Sequence, residues 1–497
     1  MATLSSARWW ALGALVLSVL VLGLDATILN VALPTLATDL KATTGELQWI
    51  IDAYMVPFAA LMLPAGALGD RFGRKRVLLT GLAAFGVASV VATFADGTGA
   101  LIAARALMGA GAALIMPLSM SILPSVFGPE ERGKAIAAWS GAMALGLPLG
   151  PIVGGYLLDH YWWGSIFLVN IPVVLVSLVA AAVLLPESRD PSGSRLDLPG
   201  ALLSVTGLAT LVYGVIQAPI DGWSDPVVLA SLAAGVALLA AFVAVERRAA
   251  APMMDLAFFR NRVFLWGAVG ATLVSLGMSG LLFVVPQHIQ AVLGHDAFGT
   301  GIRLIPMVAG LMAGGLAGER LVERVGLRSV MTAGLLVLTA GFAVGAATSV
   351  TSSYGFVAAW LAVVGAGIGL TMVPAMDGVL ATLPEERSGS GSATLQTLRQ
   401  VGSAMGVAAL GSLLSAVYAA GLPSGAPPAA GDSITAAVAL GDPALLHAAR
   451  EAFVSGMDVV ILLCAAASLL VAVLVWIFIP RPARKTAKSE HELTSAR

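Results

Sequence analysis

Gly66-Ala67-Leu68-Gly69-Asp70-Arg71-Phe72-Gly73-Arg74-Lys75-Arg76 places five charges and three glycines between two apolar runs, 47–68 and 77–95. A basic, glycine-bent turn between stretches of about 20 apolar residues is how two membrane-spanning helices are joined on the cytoplasmic side. Composition agrees over the whole chain. Hydrophobic residues are 58% and charged residues 11% of 497, and mean hydropathy is +0.92. Soluble domains carry about 25% charged residues, so a string of soluble domains is excluded. The net charge of −1 is uninformative, and with no basic patch nucleic acid is not expected as a partner. Cys464 is the sole cysteine, so neither an intramolecular disulfide nor a thiolate metal site is expected. The first apolar run, Trp9 to about Pro34, is too long for a signal peptide and contains Asp25, so it reads as a retained helix.

Breaks rich in charge or turn residues divide the chain into fourteen apolar runs: 9–36, 47–68, 77–95, 99–122, 135–158, 163–186, 198–217, 226–246, 263–286, 298–318, 329–348, 354–382, 390–418 and 450–480. Counting alternate breaks, 22 of the 27 Lys and Arg fall on one side, Arg8, Arg132, Arg195, Arg387 and the tail after Arg481 among them. Lys41, Arg303 and Arg450 alone fall on the other, and Arg105 and Arg399 lie within helices. This bias predicts that both termini are cytoplasmic. Eight tryptophans near predicted helix ends, Trp139 included, read as an interfacial belt.

The chain also repeats itself. Gly109-Ala110-Gly111 returns as Gly365-Ala366-Gly367, Pro129-Glu130-Glu131-Arg132 as Pro384-Glu385-Glu386-Arg387, and Leu68–Gly73 in weakened form as Leu321–Gly326. The offsets of 256, 255 and 253 share nearly one register. Two homologous six-helix halves are therefore expected, an N-terminal bundle over 1–190 and a C-terminal bundle over 251–480. Between them lies a transmembrane hairpin over 191–250, and a cytoplasmic tail covers 481–497. Two such halves place a substrate site at their interface near the bilayer midplane.

These residues carry a family resemblance. The 66–76 stretch resembles the loop signature of the major facilitator superfamily. Leu24–Pro34, Trp49–Tyr54, Arg105 with Gly109 and Gly111, and Gly146–Gly155 resemble motifs of its fourteen-helix drug:proton antiporters, the EmrB/QacA type. The resemblance implies an all-α major facilitator fold of fourteen transmembrane helices and a role for Arg105 in proton coupling. It further implies an antiporter motif in Gly146, Gly150, Pro151, Gly154 and Gly155.

The physical reading of individual residues runs beside it. Asp25 lies fifteen residues after Trp10, about 22 Å along a helix and past the membrane midpoint. A carboxylate there costs about 2.5–3.5 kcal/mol unless it is protonated, paired or wet. One such group can hold a proton or a cationic substrate in turn, which is antiport by competition; a structural carboxylate is the alternative. Asp52 reads as a second carboxylate of the outer half or as a partly solvated helix end. Arg105 stays charged and must find an anion, a carbonyl or water. Asp377 is a second substrate or titrating group or, as the favoured reading, a structural partner of Arg399. Gly66, Asp70, Arg71, Gly73 and Arg74 read as a cytoplasmic gate, against simple positive-inside anchoring. The recurring glycines with Pro148 and Pro151 form a packing and hinge face. His288, Gln217, Gln287 and Gln290 are lesser polar candidates. Met143, Met372 and Met376 read as lipid-facing filler, with the lining of an adaptable apolar cavity as the alternative, and Gly421–Asp442 reads as a flexible outside loop.

The expected function is a proton-coupled antiporter of a bacterial inner membrane, exporting hydrophobic or cationic drugs, antibiotics or dyes by alternating access. A lipid or siderophore exporter is the alternative. Partners are the small-molecule substrate, protons and membrane lipid. No metal or cofactor is expected beyond the proton as coupling ion, and the chain is read as monomeric. A membrane sensor lacks a soluble signalling domain, and no nucleophile–base pair, phosphate loop or metal-ligand spacing supports an enzyme.

Overall fold

The computed structural model describes residues 2–189, 197–249, 252, 254–383 and 388–480. Among them there is no strand. This follows from the solvent: in hydrocarbon every backbone N–H and C=O must be satisfied within its own segment. The helices are α1 (Ala2–Asp39), α2 (Thr44–Phe72), α3 (Arg74–Thr93), α4 (Thr98–Val126), α5 (Pro129–His160), α6 (Ser165–Leu168) and α7 (Asn170–Leu184). Next come α8 (Leu198–Asp221) and α9 (Pro226–Glu246), then α10 (Arg262–Gln287), extended by a π-helical turn (His288–Val292). The chain ends with α11 (Ala297–Arg303), α12 (Ile305–Val325), α13 (Leu327–Gly345), α14 (Tyr354–Leu380), α15 (Ser388–Gly421), α16 (Pro428–Asp432), α17 (Ile434–Ala439) and α18 (Pro443–Phe478).

Thirteen spans among the described residues are long and apolar enough to cross a membrane, and α2 makes fourteen when its two bent pieces are counted as one. Its halves, Thr44–Met62 and Pro64–Phe72, meet at 56°, where Pro64 removes a backbone donor and crowds the preceding turn. Polar caps mark where the chain leaves the apolar layer. Thr43 and Glu46 form a capping box on α2, and Asp197, Asp225, Asn261 and Asp442 cap α8, α9, α10 and α18.

The internal repeat reappears as packing. A Cβ on Gly109 would fall on the Tyr54 carbonyl, and one on Gly365 on the Met307 carbonyl. Gly111 lies in the same way against the Phe85 amide, and Gly367 against the Leu338 amide. Gly73 (φ 107°) and Gly326 (φ 81°) end α2 and α12 in the left-handed region that glycine tolerates. So α4 sits on α2 and α3 as α14 sits on α12 and α13. The second Pro-Glu-Glu-Arg copy, 384–387, lies outside the described residues, as do Arg195 and the tail from Arg481.

The two halves meet along α2–α15, α1–α10 and α5–α11. Of these, α1, α2, α10 and α15 present no exposed side chain over 11–37, 44–70, 263–290 and 391–418 among the described ones. By contrast, α9 is exposed along most of its length. Its partner α8 packs on the α2–α15 seam through Leu208, Val212 and Ile216 against Val56, Ala59, Ala404 and Ala408.

Several expectations change. The 421–442 stretch is folded, because Ser433 and Asp442 cap helices there and Ala430, Ile434 and Ala437 are buried. Arg303 lies in α11 over the Tyr354 ring, and Arg450 lies in α18, its Nε donating to the Ala291 carbonyl at 2.9 Å. Trp139 is buried, with Nε1 donating to Ser119 Oγ at 3.0 Å, and does not belong to an interfacial belt.

Candidate functional site

At the centre of the first half, α1, α2, α4 and α7 bring four side chains together. Asp25 Oδ2 pairs with Arg105 Nη1 at 2.6 Å, and the two side chains are 0% and 2% exposed. Asn170 Nδ2, at the start of α7, donates to Asp25 Oδ1 at 3.1 Å. Arg105 Nε donates to the Ile50 carbonyl at 3.1 Å, and its guanidinium lies 4.3 Å from the centre of the Tyr54 ring. Asp25 and Arg105 have each found the partner that the cost of an intramembrane charge demands. A carboxylate held by an arginine on one oxygen and a neutral amide on the other can exchange its cationic partner for a proton without leaving the site.

The glycine face of α5 holds α1 in place beside this pair. Side chains at Gly146, Gly150 and Gly154 would meet Gly23, Leu24, Thr27 and Ile28, so the backbones approach at small-residue spacing. Thr27 Oγ1 donates across this contact to the Gly146 carbonyl at 3.0 Å. Gly155 faces the other half, against Ala297 and Phe298, and the Pro151 carbonyl lies on Gly301. Thr27, Pro148, Pro151, Leu282 and Met307 line an apolar crevice there.

The 66–76 stretch ties the first half to itself. Arg74 pairs with Asp70 at 2.8 Å, donates to the Ser121 carbonyl at 3.1 Å, and its backbone amide donates to the Ser188 carbonyl at 3.0 Å. Glu187 accepts from the Lys75 amide at 3.2 Å and pairs with Arg76 at 3.6 Å. Arg71 stacks on Phe72, and Gly66 lies in open space. Among the described residues no hydrogen bond joins this cluster to the second half.

Hydrogen bonds between the halves lie at the opposite end. Gln48 Nε2 donates to the Val407 and Ala408 carbonyls at 3.1 and 3.0 Å, and Thr44 Oγ1 to the Asp432 carbonyl at 2.6 Å. Gln290 Nε2 donates to the Val31 carbonyl at 2.8 Å, and the Phe298 amide to Asp159 at 3.0 Å. The bundle is therefore sealed at the end away from the arginine cluster.

The other expected site residues are placed apart from the ion pair. Asp52 is not a partly solvated helix end: it is fully buried, and neither carboxylate oxygen has a hydrogen-bond partner. It shares the Gln48–Val56 side of α2, facing α15 and α8, whereas Tyr54 faces Arg105. Asp377 is exposed and makes no ion pair with Arg399. The guanidinium of Arg399 instead touches Gln396, Ser275, Met372 and Met376, so those two methionines face the interior and not the lipid. His288 is buried with neither ring nitrogen bonded.

Sequence reasoning missed Asn170, Gln48 and Asp458. Asp458 is an intramembrane acid within α18, which the hydrophobic run around it could have flagged.

Two repeated helical bundles joined along α2–α15, α1–α10 and α5–α11, with an ion pair buried inside the first, are the plan of a membrane transporter. Residues 15–407 match the Major Facilitator Superfamily, and the chain belongs to that family. It is 36% identical to the multidrug efflux pump LfrA of Mycolicibacterium smegmatis, over 90% of this chain and 92% of that one. It is 32% identical to the methyl viologen resistance protein SmvA of Salmonella typhimurium, over 96% and 99%. Identity to the puromycin resistance protein pur8 of Streptomyces alboniger is 32%, over 95% and 91%. Its fold is similar to that of a bacterial homologue of the human lysosomal transporter Spinster, crystallised inward-facing and occupied. The TM-score is 0.69 at 17% identity, covering 96% and 99% of the two chains.

Proposed function

We propose that this protein is a proton-coupled exporter of hydrophobic or cationic small molecules in a bacterial cytoplasmic membrane, with both termini in the cytoplasm. The observation that carries this reading is the buried Asp25–Arg105 pair steadied by Asn170. The names of the relatives, pumps and resistance proteins for drugs and methyl viologen, support export as the direction.

In this reading the seal at the far end makes the conformation inward-facing. Protonation of Asp25 releases Arg105, which keeps the Ile50 carbonyl and the Tyr54 ring. Both belong to α2, whose Gln48 holds the second half closed one turn away. Proton binding at Asp25 is thereby linked through α2 to the outer seal. Asp52, unpartnered on the same helix, is the second proton carrier. The Gly146–Gly155 face slides and seals against α1 and α11, and the Asp70–Arg74 cluster latches the cytoplasmic side when that side closes. One proton entering down about 100 mV supplies about 2.3 kcal/mol, and each pH unit adds about 1.4 kcal/mol. Together these sustain a gradient of a neutral substrate of about five-hundredfold.

The test is ethidium accumulation in bacteria lacking their own efflux pumps. Expression of the wild-type chain should lower accumulation until a protonophore is added, and Asp25→Asn should not lower it at all. Equal export by Asp25→Asn would remove that residue from the coupling mechanism.

A further inference from the structure

We propose that Arg399 is an anion-binding residue of the transport site, and that the substrate range includes planar aromatic molecules bearing a carboxylate or phenolate. This rests on the exporter reading and extends it to a second substrate class.

Arg399 lies eleven residues into α15, about 16 Å along the helix, so it is deep in the membrane-spanning layer. Its guanidinium stays charged at that depth. Every group it touches is neutral: Gln396 Oε1 at 2.5 Å, Met376 Sδ at 3.3 Å, Ser275 Oγ at 3.4 Å and Met372 Sδ at 3.6 Å. Among the described residues no carboxylate pairs with it. Arg105 in the first half, by contrast, has Asp25 at 2.6 Å. One half thus holds a neutralised arginine and the other an uncompensated one.

The side chain is partly accessible, and α15 has no exposed position between Gly391 and Tyr418. Its free surface therefore opens inside the bundle and not onto lipid tails. Nη2 donates only to a thioether, a weak acceptor, which leaves part of the planar fork available for an incoming oxyanion. Met372 and Met376 flank the guanidinium on α14, and thioethers pack favourably against aromatic rings. Cation and sulfur together select an aromatic anion. A cationic substrate, by contrast, would be repelled here and drawn to the first half.

The experiment measures binding of two dyes on one xanthene frame, anionic fluorescein and cationic rhodamine 123, to purified full-length protein by fluorescence polarisation. Wild type should bind both. Arg399→Gln should weaken fluorescein about tenfold or more, the loss expected for a charge-assisted hydrogen bond, and leave rhodamine 123 within about twofold. Arg399→Lys, which keeps the charge but not the fork, should fall between them for fluorescein and match wild type for rhodamine 123. Should the glutamine variant not fold, the lysine variant reads the same selectivity. Equal losses of both dyes, or no loss of fluorescein, would overturn the proposal. Arg399-dependent displacement of fluorescein by added phosphatidylglycerol would overturn it in favour of a lipid headgroup. Wild type that binds rhodamine 123 but not fluorescein overturns the anion site and leaves the exporter reading intact. Binding of neither dye overturns both.

Discussion

The ion pair of Asp25 with Arg105 lends itself to a double-mutant cycle with Asp25→Asn, Arg105→Gln and both together. Both side chains are almost wholly buried, and stranding one partner of a buried pair costs about 3–5 kcal/mol. In Asp25→Asn the stranded cation keeps the Ile50 carbonyl and the Tyr54 ring, and a desolvated cation–π contact is worth about 2 kcal/mol. That variant should therefore lie near the lower end, at about 3 kcal/mol. In Arg105→Gln the carboxylate keeps only the Asn170 amide, which puts it nearer the upper end of the same range. The double variant buries two neutral amides and should be more stable than either single one, by about 1–3 kcal/mol. The chain carries its own reporter. Cys464 is the only thiol and is 5% exposed, so a maleimide dye reacts as the bundle opens on denaturation. Strictly additive losses, with the double variant the least stable, would refute the pairing and the exchange mechanism built on it.

Three other outcomes follow from the geometry. Asp52→Asn should narrow the range of transported dications while substrate-evoked proton flux persists in liposomes; loss of all flux would move the coupling site to α2. Gly146→Val would drive its branches into the Gly23 and Leu24 backbone and should destabilise the fold by about 1–3 kcal/mol or more, read by the same thiol assay; an unchanged midpoint would refute the close α1–α5 approach. Desolvation, and after it the Glu46 charge, hold the Asp432 carboxyl above its ordinary range. A raised carboxyl binds its proton more readily in the folded state, so far-end packing should strengthen as pH falls through the folded value and weaken above it. Asp432→Asn should abolish that dependence in hydrogen exchange of α16, and an unchanged pH profile would exclude this group as its source.

The fold was legible because its signals are local. Length of apolar run, caps and paired glycines each report on a few neighbouring residues, and the left-handed Gly73 and Gly326 stand in the repeat where the sequence aligns them. That Arg105 needs an anion, a carbonyl or water was legible for a different reason, the cost of a charge in hydrocarbon; that it finds both the Asp25 carboxylate and the Ile50 carbonyl was not. Asn170 carries no such penalty and gave no signal. The rotation of one helix against another was the harder quantity. Met376 and Asp377 are adjacent, yet the first touches Arg399 and the second is exposed, because successive residues on a helix point about 100° apart. The burial of Asp52 depends on α8 and α15, which are remote in sequence. The 421–442 loop looked flexible by composition, but its alanines pack and Thr44 bonds to the Asp432 carbonyl.

The most direct test of proton coupling at Asp25 is proton flux into liposomes holding purified protein under an imposed pH gradient, followed as ethidium is added. Wild type should show flux evoked by ethidium, and Asp25→Asn should show none while still binding the dye. Undiminished ethidium-evoked flux in Asp25→Asn would contradict the account.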